Sequence, residues 1–174
     1  MAAVSLSRRA TAGIVFIIAG ALLLLALILP LLGVTAAGVW LTLLAYLGIA
    51  VGLAILGFGA INGNVAKIML IVAAVGWAIL ALALLIPAIP AILVQIAAIV
   101  AAVAGLIAAI VVYVGKEIKN TPALLFIITM VLALLVLLGY FGVALGDTLG
   151  LIIALAFGAA LVITGVLLRQ KERR

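Results

Sequence analysis

Lys116-Glu117-Ile118-Lys119-Asn120-Thr121-Pro122 is the one polar island set well inside an otherwise apolar chain, and its reading decides the fold. Of 174 residues, 72% are hydrophobic and 7% charged, against roughly a quarter charged in an ordinary soluble domain. A soluble fold of this size has no interior large enough to hide so much apolar side chain. The sequence therefore predicts an all-α integral membrane protein, with the lipid bilayer as its solvent. In that medium the island, with its two lysines, glutamate and proline, marks a return of the chain to water.

Outward from the island, the uncharged runs set the number of crossings. No charged residue lies between Ala10 and Ala66. As one helix that run would extend about 86 Å, against roughly 30 Å of hydrocarbon, so it must fold back. The reversal falls at Gly33-Val34-Thr35-Ala36-Ala37-Gly38, with Trp40 just beyond as a headgroup-level anchor. Asn62-Gly63-Asn64 is the next turn, closed by Lys67. Residues 68–115 are again uncharged and too long for one crossing, and Pro87-Ala88-Ile89-Pro90 breaks them. Beyond the island, where the helix is expected to start after Pro122, Gly146-Asp147-Thr148 makes a last turn whose Asp147 or Thr148 can cap a helix. The expected spans are residues 12–33, 38–60, 67–87, 90–115, 123–143 and 148–168 of a single transmembrane domain covering 1–174, with 169–174 as a basic tail.

Parity tests that count, because short loops retain Lys and Arg on the cytoplasmic side. The intervals from Arg9 to Lys67, from Lys67 to Lys116 and from Lys119 to Arg169 each have room for two crossings. An even number in each places Arg8, Arg9, Lys67, Lys116, Lys119, Arg169 and the tail on one side, and leaves Asp147 on the other. The expectation is three hairpins with both termini cytoplasmic, in a cell membrane whose composition suggests the bacterial cytoplasmic one. The first apolar run resembles a signal peptide, and Val34-Thr35-Ala36 has the spacing of a cleavage site, but the run exceeds the roughly 7–15 residues of a signal core. An uncleaved first helix is expected.

The three hairpins begin at similar spacing, near residues 11, 67 and 121, and Thr11 to Ile18 shares Thr, Phe, Ile and Ile with Thr121 to Ile128 at equal offsets. That would make them parallel threefold repeats. With Gly13, Gly20, Pro30, Gly48 and Gly52 as carriers, the hairpin plan resembles the small six-helix bacterial membrane proteins of the HdeD type, in which glycines are spaced along hairpins and a proline closes the first helix. The resemblance covers the plan and no specific motif, and the uncharged Asn62 to Ala66 turn departs from the more polar cytoplasmic turns of that group. It implies a stress-linked membrane protein without established catalytic residues.

Chemistry is bounded by what the chain lacks. Without Cys or His there are no disulfides, thiolates or imidazole ligands, and no cofactor or metal is expected. The acids Glu117, Asp147 and Glu172 are widely separated, so no acid/base pair assembles in one monomer and no catalysis is expected. The net charge of +6 comes from dispersed or terminal basic residues, a topology signal and not a nucleic-acid footprint. No ionisable group lies at mid-depth, which argues against ion-coupled transport.

The polar groups expected deep in the membrane are Tyr46, Trp77, Gln95 and Thr129, with Trp77 near the midplane. They read either as a small polar pocket for a neutral solute or lipid headgroup, or as ordinary interhelical hydrogen bonding. Gly48 and Gly52 on the second helix, and Ala97, Ala101, Gly105 and Ala109 on the fourth, form small-residue faces that serve packing within the monomer or docking of another chain. Gly142, Gly146 and Gly150 read as flexibility around Asp147. Tyr113 and Tyr140 suit the aromatic belts, and the tail cations suit a stop-transfer anchor or anionic lipid. The function expected is non-enzymatic: an accessory, assembly or stress-protective component bound to itself or within a larger membrane complex. A small transporter or channel for neutral solutes, or a lipid-binding protein, are the alternatives.

Overall fold

The computed structural model describes residues 2–35, 37–86, 88–143 and 146–170, with side chains from residue 7 onward. These form six helices: α1 (Ala2–Leu31), α2 (Gly38–Gly59), α3 (Asn64–Leu85), α4 (Ala91–Val114), α5 (Asn120–Leu137) and α6 (Asp147–Arg169). A 3-10 turn, Leu138–Phe141, extends α5. There is no strand among the described residues, and all six helices are long and apolar enough to cross a membrane.

Helix ends follow local chemistry. At the end of α1, Gly33 takes a left-handed φ of 85°. Its N–H donates to Pro30 O and that of Val34 to Leu29 O, the paired closure that satisfies carbonyls left over at a helix terminus. The same closure ends α4, where Lys116 and Glu117 donate to Tyr113 O and Val112 O. There the left-handed position falls on Lys116 (φ 51°), although Gly115 stands one residue earlier. Ile86, restricted by the proline after it, is extended and stops α3.

Several expected boundaries are corrected. α1 begins by Ala2 and not near 12, because Ser5, Arg8 and Arg9 do not interrupt helical backbone even where they end the apolar run. Lys67 does not open α3; Asn64, Val65 and Ala66 form its first turn. α5 opens at Asn120, so Pro122 sits inside the first turn, where its missing N–H has no intrahelical partner to lose. Neither Asp147 nor Thr148 caps α6. The cap is Gly146 (φ 76°), without a side-chain bond, and Asp147 is the first helical residue. Ala36, Pro87, Ala144, Leu145 and the tail beyond Gln170 lie outside the described residues.

Each helix packs against its neighbours in sequence, and α6 packs against α1, so the six close into a ring. Residue pairs across the seams run in opposite senses: Gly48 faces Ala19 while Gly52 faces Phe16, and Gly13 faces Gly165 while Gly20 faces Gly158. The helices at these seams are therefore antiparallel. Trp77, Phe16, Phe126 and Phe157 fill the interior together with many alanines, while Ile, Leu and Val are exposed around the outside on every helix. Soluble monomers rarely present so continuous an apolar exterior.

Candidate functional site

Of the four polar residues, read either as a pocket or as interhelical hydrogen bonding, Tyr46 and Gln95 both engage Tyr140, the Tyr46 side chain by a hydrogen bond to its side chain, while Thr129 stands apart. Tyr46 and Trp77 meet, edge to face with ring centroids 5.0 Å apart. Trp77 also stacks on Phe157, at 5.9 Å. Since α3 and α6 are not neighbours in the ring, that stack spans its interior and fills it near half-height. Gln95 lies toward the end carrying the turns before α2, α4 and α6, where its Nε2 donates to Tyr140 O at 3.3 Å. Thr129 lies near the middle of α5, its hydroxyl 2.8 Å from Leu125 O and 2.9 Å from the Thr164 hydroxyl. Counting along a helix gives depth but not azimuth, so it does not tell which of these side chains meet. Thr164 and Phe157 carry no signal in the sequence beyond being a polar and an aromatic residue on α6.

The Trp77 indole N–H is the one buried side-chain donor without a partner among the described residues. Its level is otherwise packed by Tyr46 and Phe157, so that a neutral acceptor reaching it would have to move them.

The small-residue faces point into the bundle. A Cβ on Gly48 would meet Ala19 at 2.8 Å, and one on Gly52 would meet Phe16 at 2.7 Å. On α4, Ala97 and Ala101 lie against Gly76, and a Cβ on Gly105 would meet Met130 Sδ at 2.8 Å; Ala109 is fully buried. The closest approach of backbone to backbone is elsewhere, at the α1–α6 seam. A Cβ on Gly165 would overlap Gly13 O, and one on Gly20 would come within 2.7 Å of Gly158 O. These four glycines, seven residues apart on each helix, let two backbones touch and close the ring.

The basic residues gather at one end. Arg9 Nε donates to Ala60 O at 2.9 Å and Nη2 to Glu117 O at 2.7 Å, joining α1 to the α2–α3 and α4–α5 turns. The Glu117 carboxylate accepts the Asn62 N–H at 3.1 Å, and Arg8 Nη1 donates to Phe58 O at 3.2 Å. Lys67, Lys116 and Lys119 belong to the same turns or their flanks, and the Arg169 backbone abuts Gly13 one turn inward from Arg9. Asp147 is at the opposite end. Among the grooves on the outside are one of about 320 Å³ between α5 and α6, lined by Gly139, Asp147 and Gly150 among others, and one of about 460 Å³ between α1 and α2. The second is lined by Arg8, Thr11, Val51, Ala54, Ile55 and Phe58.

No group of three metal-ligating side chains occurs among the described residues. Comparison with known proteins finds no matching family model, no matching curated protein and no matching solved structure.

Proposed function

We propose that this chain is an integral membrane protein of six spans, built as three antiparallel hairpins with both termini in the cytoplasm. It acts without catalysis through its packed body, as an accessory, assembly or stress-protective component of a bacterial cytoplasmic membrane. The observation that carries this reading is the apolar exterior: large aliphatic side chains are exposed on all six helices, around an interior that is itself apolar. Lipid is the solvent for which such a surface is suited. The orientation rests on the gathering of Arg8, Arg9, Lys67, Lys116, Lys119 and Arg169 at one end, since basic residues are retained in the cytoplasm.

Support for a threefold hairpin repeat comes from equal heights of burial. Phe16, Ala19, Gly20 and Leu23 of α1 are buried; so are Leu70, Ala73, Ala74 and Trp77 of α3, 54 residues on, and Phe126, Thr129, Met130 and Ala133 of α5, a further 56 on. The non-enzymatic reading rests on Glu117 and Asp147 lying at opposite ends, too far apart to act on one bond.

With the Gly and Ala faces turned inward, a protein partner would contact the aliphatic exterior. The test is extraction of the protein with its surrounding native lipid into nanodiscs, followed by mass determination. A second copy or a companion in fixed stoichiometry, lost on changing an exposed aliphatic patch to lysine, is expected. A lone monomer under every mild extraction would overturn the accessory role. The second reading, a path for neutral solutes, draws on the unpartnered Trp77 donor alone.

A further inference from the structure

The groove between α1 and α2 combines an apolar strip with a cation at its end. Val51, Ala54, Ile55 and Phe58 present an apolar strip two helical turns long, about 10 Å, and Phe58 is 70% exposed. Arg8 stands at the end of that strip and Thr11 beside it. The guanidinium is held in place by one bond, Nη1 to Phe58 O, and a guanidinium has five N–H donors. Four therefore remain on an exposed side chain that lies along Gly59, and a guanidinium fork is matched to phosphate oxygens. Arg9, by contrast, turns inward onto Ala60 O and Glu117 O. The nearby carboxylate, that of Glu117, is engaged by the Asn62 N–H.

We propose that this groove binds one anionic phospholipid, its phosphate on Arg8 and the first part of an acyl chain along Val51, Ala54, Ile55 and Phe58. The inference rests on the membrane reading above, which puts Arg8 at headgroup level. Charge complementarity selects the occupant: a cation at the mouth of an apolar slot suits an anionic headgroup on a hydrocarbon tail. A zwitterionic lipid places its own cation beside Arg8. A preference of about fivefold for the anionic lipid is expected from one basic residue at the membrane surface.

The test uses the full chain with Trp40 and Trp77 changed to Phe and one reporter tryptophan, either Phe58→Trp in the groove or Val114→Trp on α4 at the same end. Each is reconstituted in vesicles containing brominated phosphatidylglycerol or brominated phosphatidylcholine, and quenching is compared. At Phe58→Trp the anionic lipid should quench about five times more effectively, falling to near parity with Arg8→Gln and only partly with Arg8→Lys. At Val114→Trp neither Arg8 variant should alter the ratio. Equal ratios at the two reporters, or a Phe58→Trp ratio indifferent to Arg8→Gln, would overturn the groove while leaving the membrane reading intact. Protein that fails to float with the vesicles would overturn the membrane reading and the groove with it; thermal unfolding of each variant separates loss of fold from loss of lipid.

Discussion

The two ends of the ring are held together by different means. At the basic end, charged side chains reach between elements far apart in sequence: Arg9 ties α1 to the α2–α3 and α4–α5 turns, Glu117 ties those two turns to each other, and Arg8 covers a carbonyl at the end of α2. At the opposite end, Gln95 reaches Tyr140 O with a single neutral bond, and the turns rely on backbone geometry at Gly33, Gly142 and Gly146. The difference teaches that basic residues gathered at one end of a bundle can have a structural part as well as any part in orientation. Here they also satisfy the carbonyls that helix ends leave without partners.

The sharpest way to break the comparison is through two glycines of α6. Gly165, toward the basic end, has no room for a side chain against Gly13 and Ile17, whereas Gly150, at the other end, has nothing within 4 Å of a Cβ. Gly165→Val should cost about 3 kcal/mol or prevent closure of the ring, measured as thermal unfolding in detergent. Gly150→Ala in the same assay should be neutral or stabilise by up to about 1 kcal/mol.

Arginine against glutamine comes next. Arg9→Gln removes two charge-assisted bonds to backbone oxygens of separate turns and should destabilise by about 2–3 kcal/mol in chemical denaturation, while Gln95→Leu should cost less than about 1 kcal/mol. If the two variants lose equal stability, the contrast between the ends fails.

The smallest effect is at Lys116, whose left-handed backbone is unfavourable for a residue with a Cβ. Lys116→Gly should stabilise the α4 terminus by about 0.5–1 kcal/mol, seen as slower amide exchange at residue 116 and at Glu117. Faster exchange there would show that the lysine side chain matters more than its backbone.

Much of this arrangement is legible in the sequence, for identifiable reasons. Uncharged runs such as Ala10 to Ala66 have lengths that hydrocarbon thickness divides, so six helices and the turn at Gly33 can be read without coordinates. The grouping of Arg9, Lys67 and Lys116 at one end follows from parity. What the sequence does not disclose depends on azimuth and closure. In a chain with 18 glycines, nothing distinguishes Gly158 and Gly165 until α6 is laid against α1. Tyr46, Trp77, Gln95 and Thr129 read as one candidate cluster because all are polar and inside helices, yet Thr129 pairs with Thr164, whereas Trp77 meets Tyr46, and Tyr46 and Gln95 meet at Tyr140. Arg9 reads as a charge, and its bond to Glu117 O, across 108 positions, has no local signature.

A chain free of cysteine permits clean labelling, so the single substitutions Lys67→Cys, Lys116→Cys and Ala88→Cys can be probed in intact cells and in inverted vesicles with an impermeant maleimide. Six crossings with the cations on one side predict that the thiols introduced at positions 67 and 116 react only in inverted vesicles, and the one at position 88 only in intact cells. Modification of positions 67 and 116 from opposite faces would contradict it.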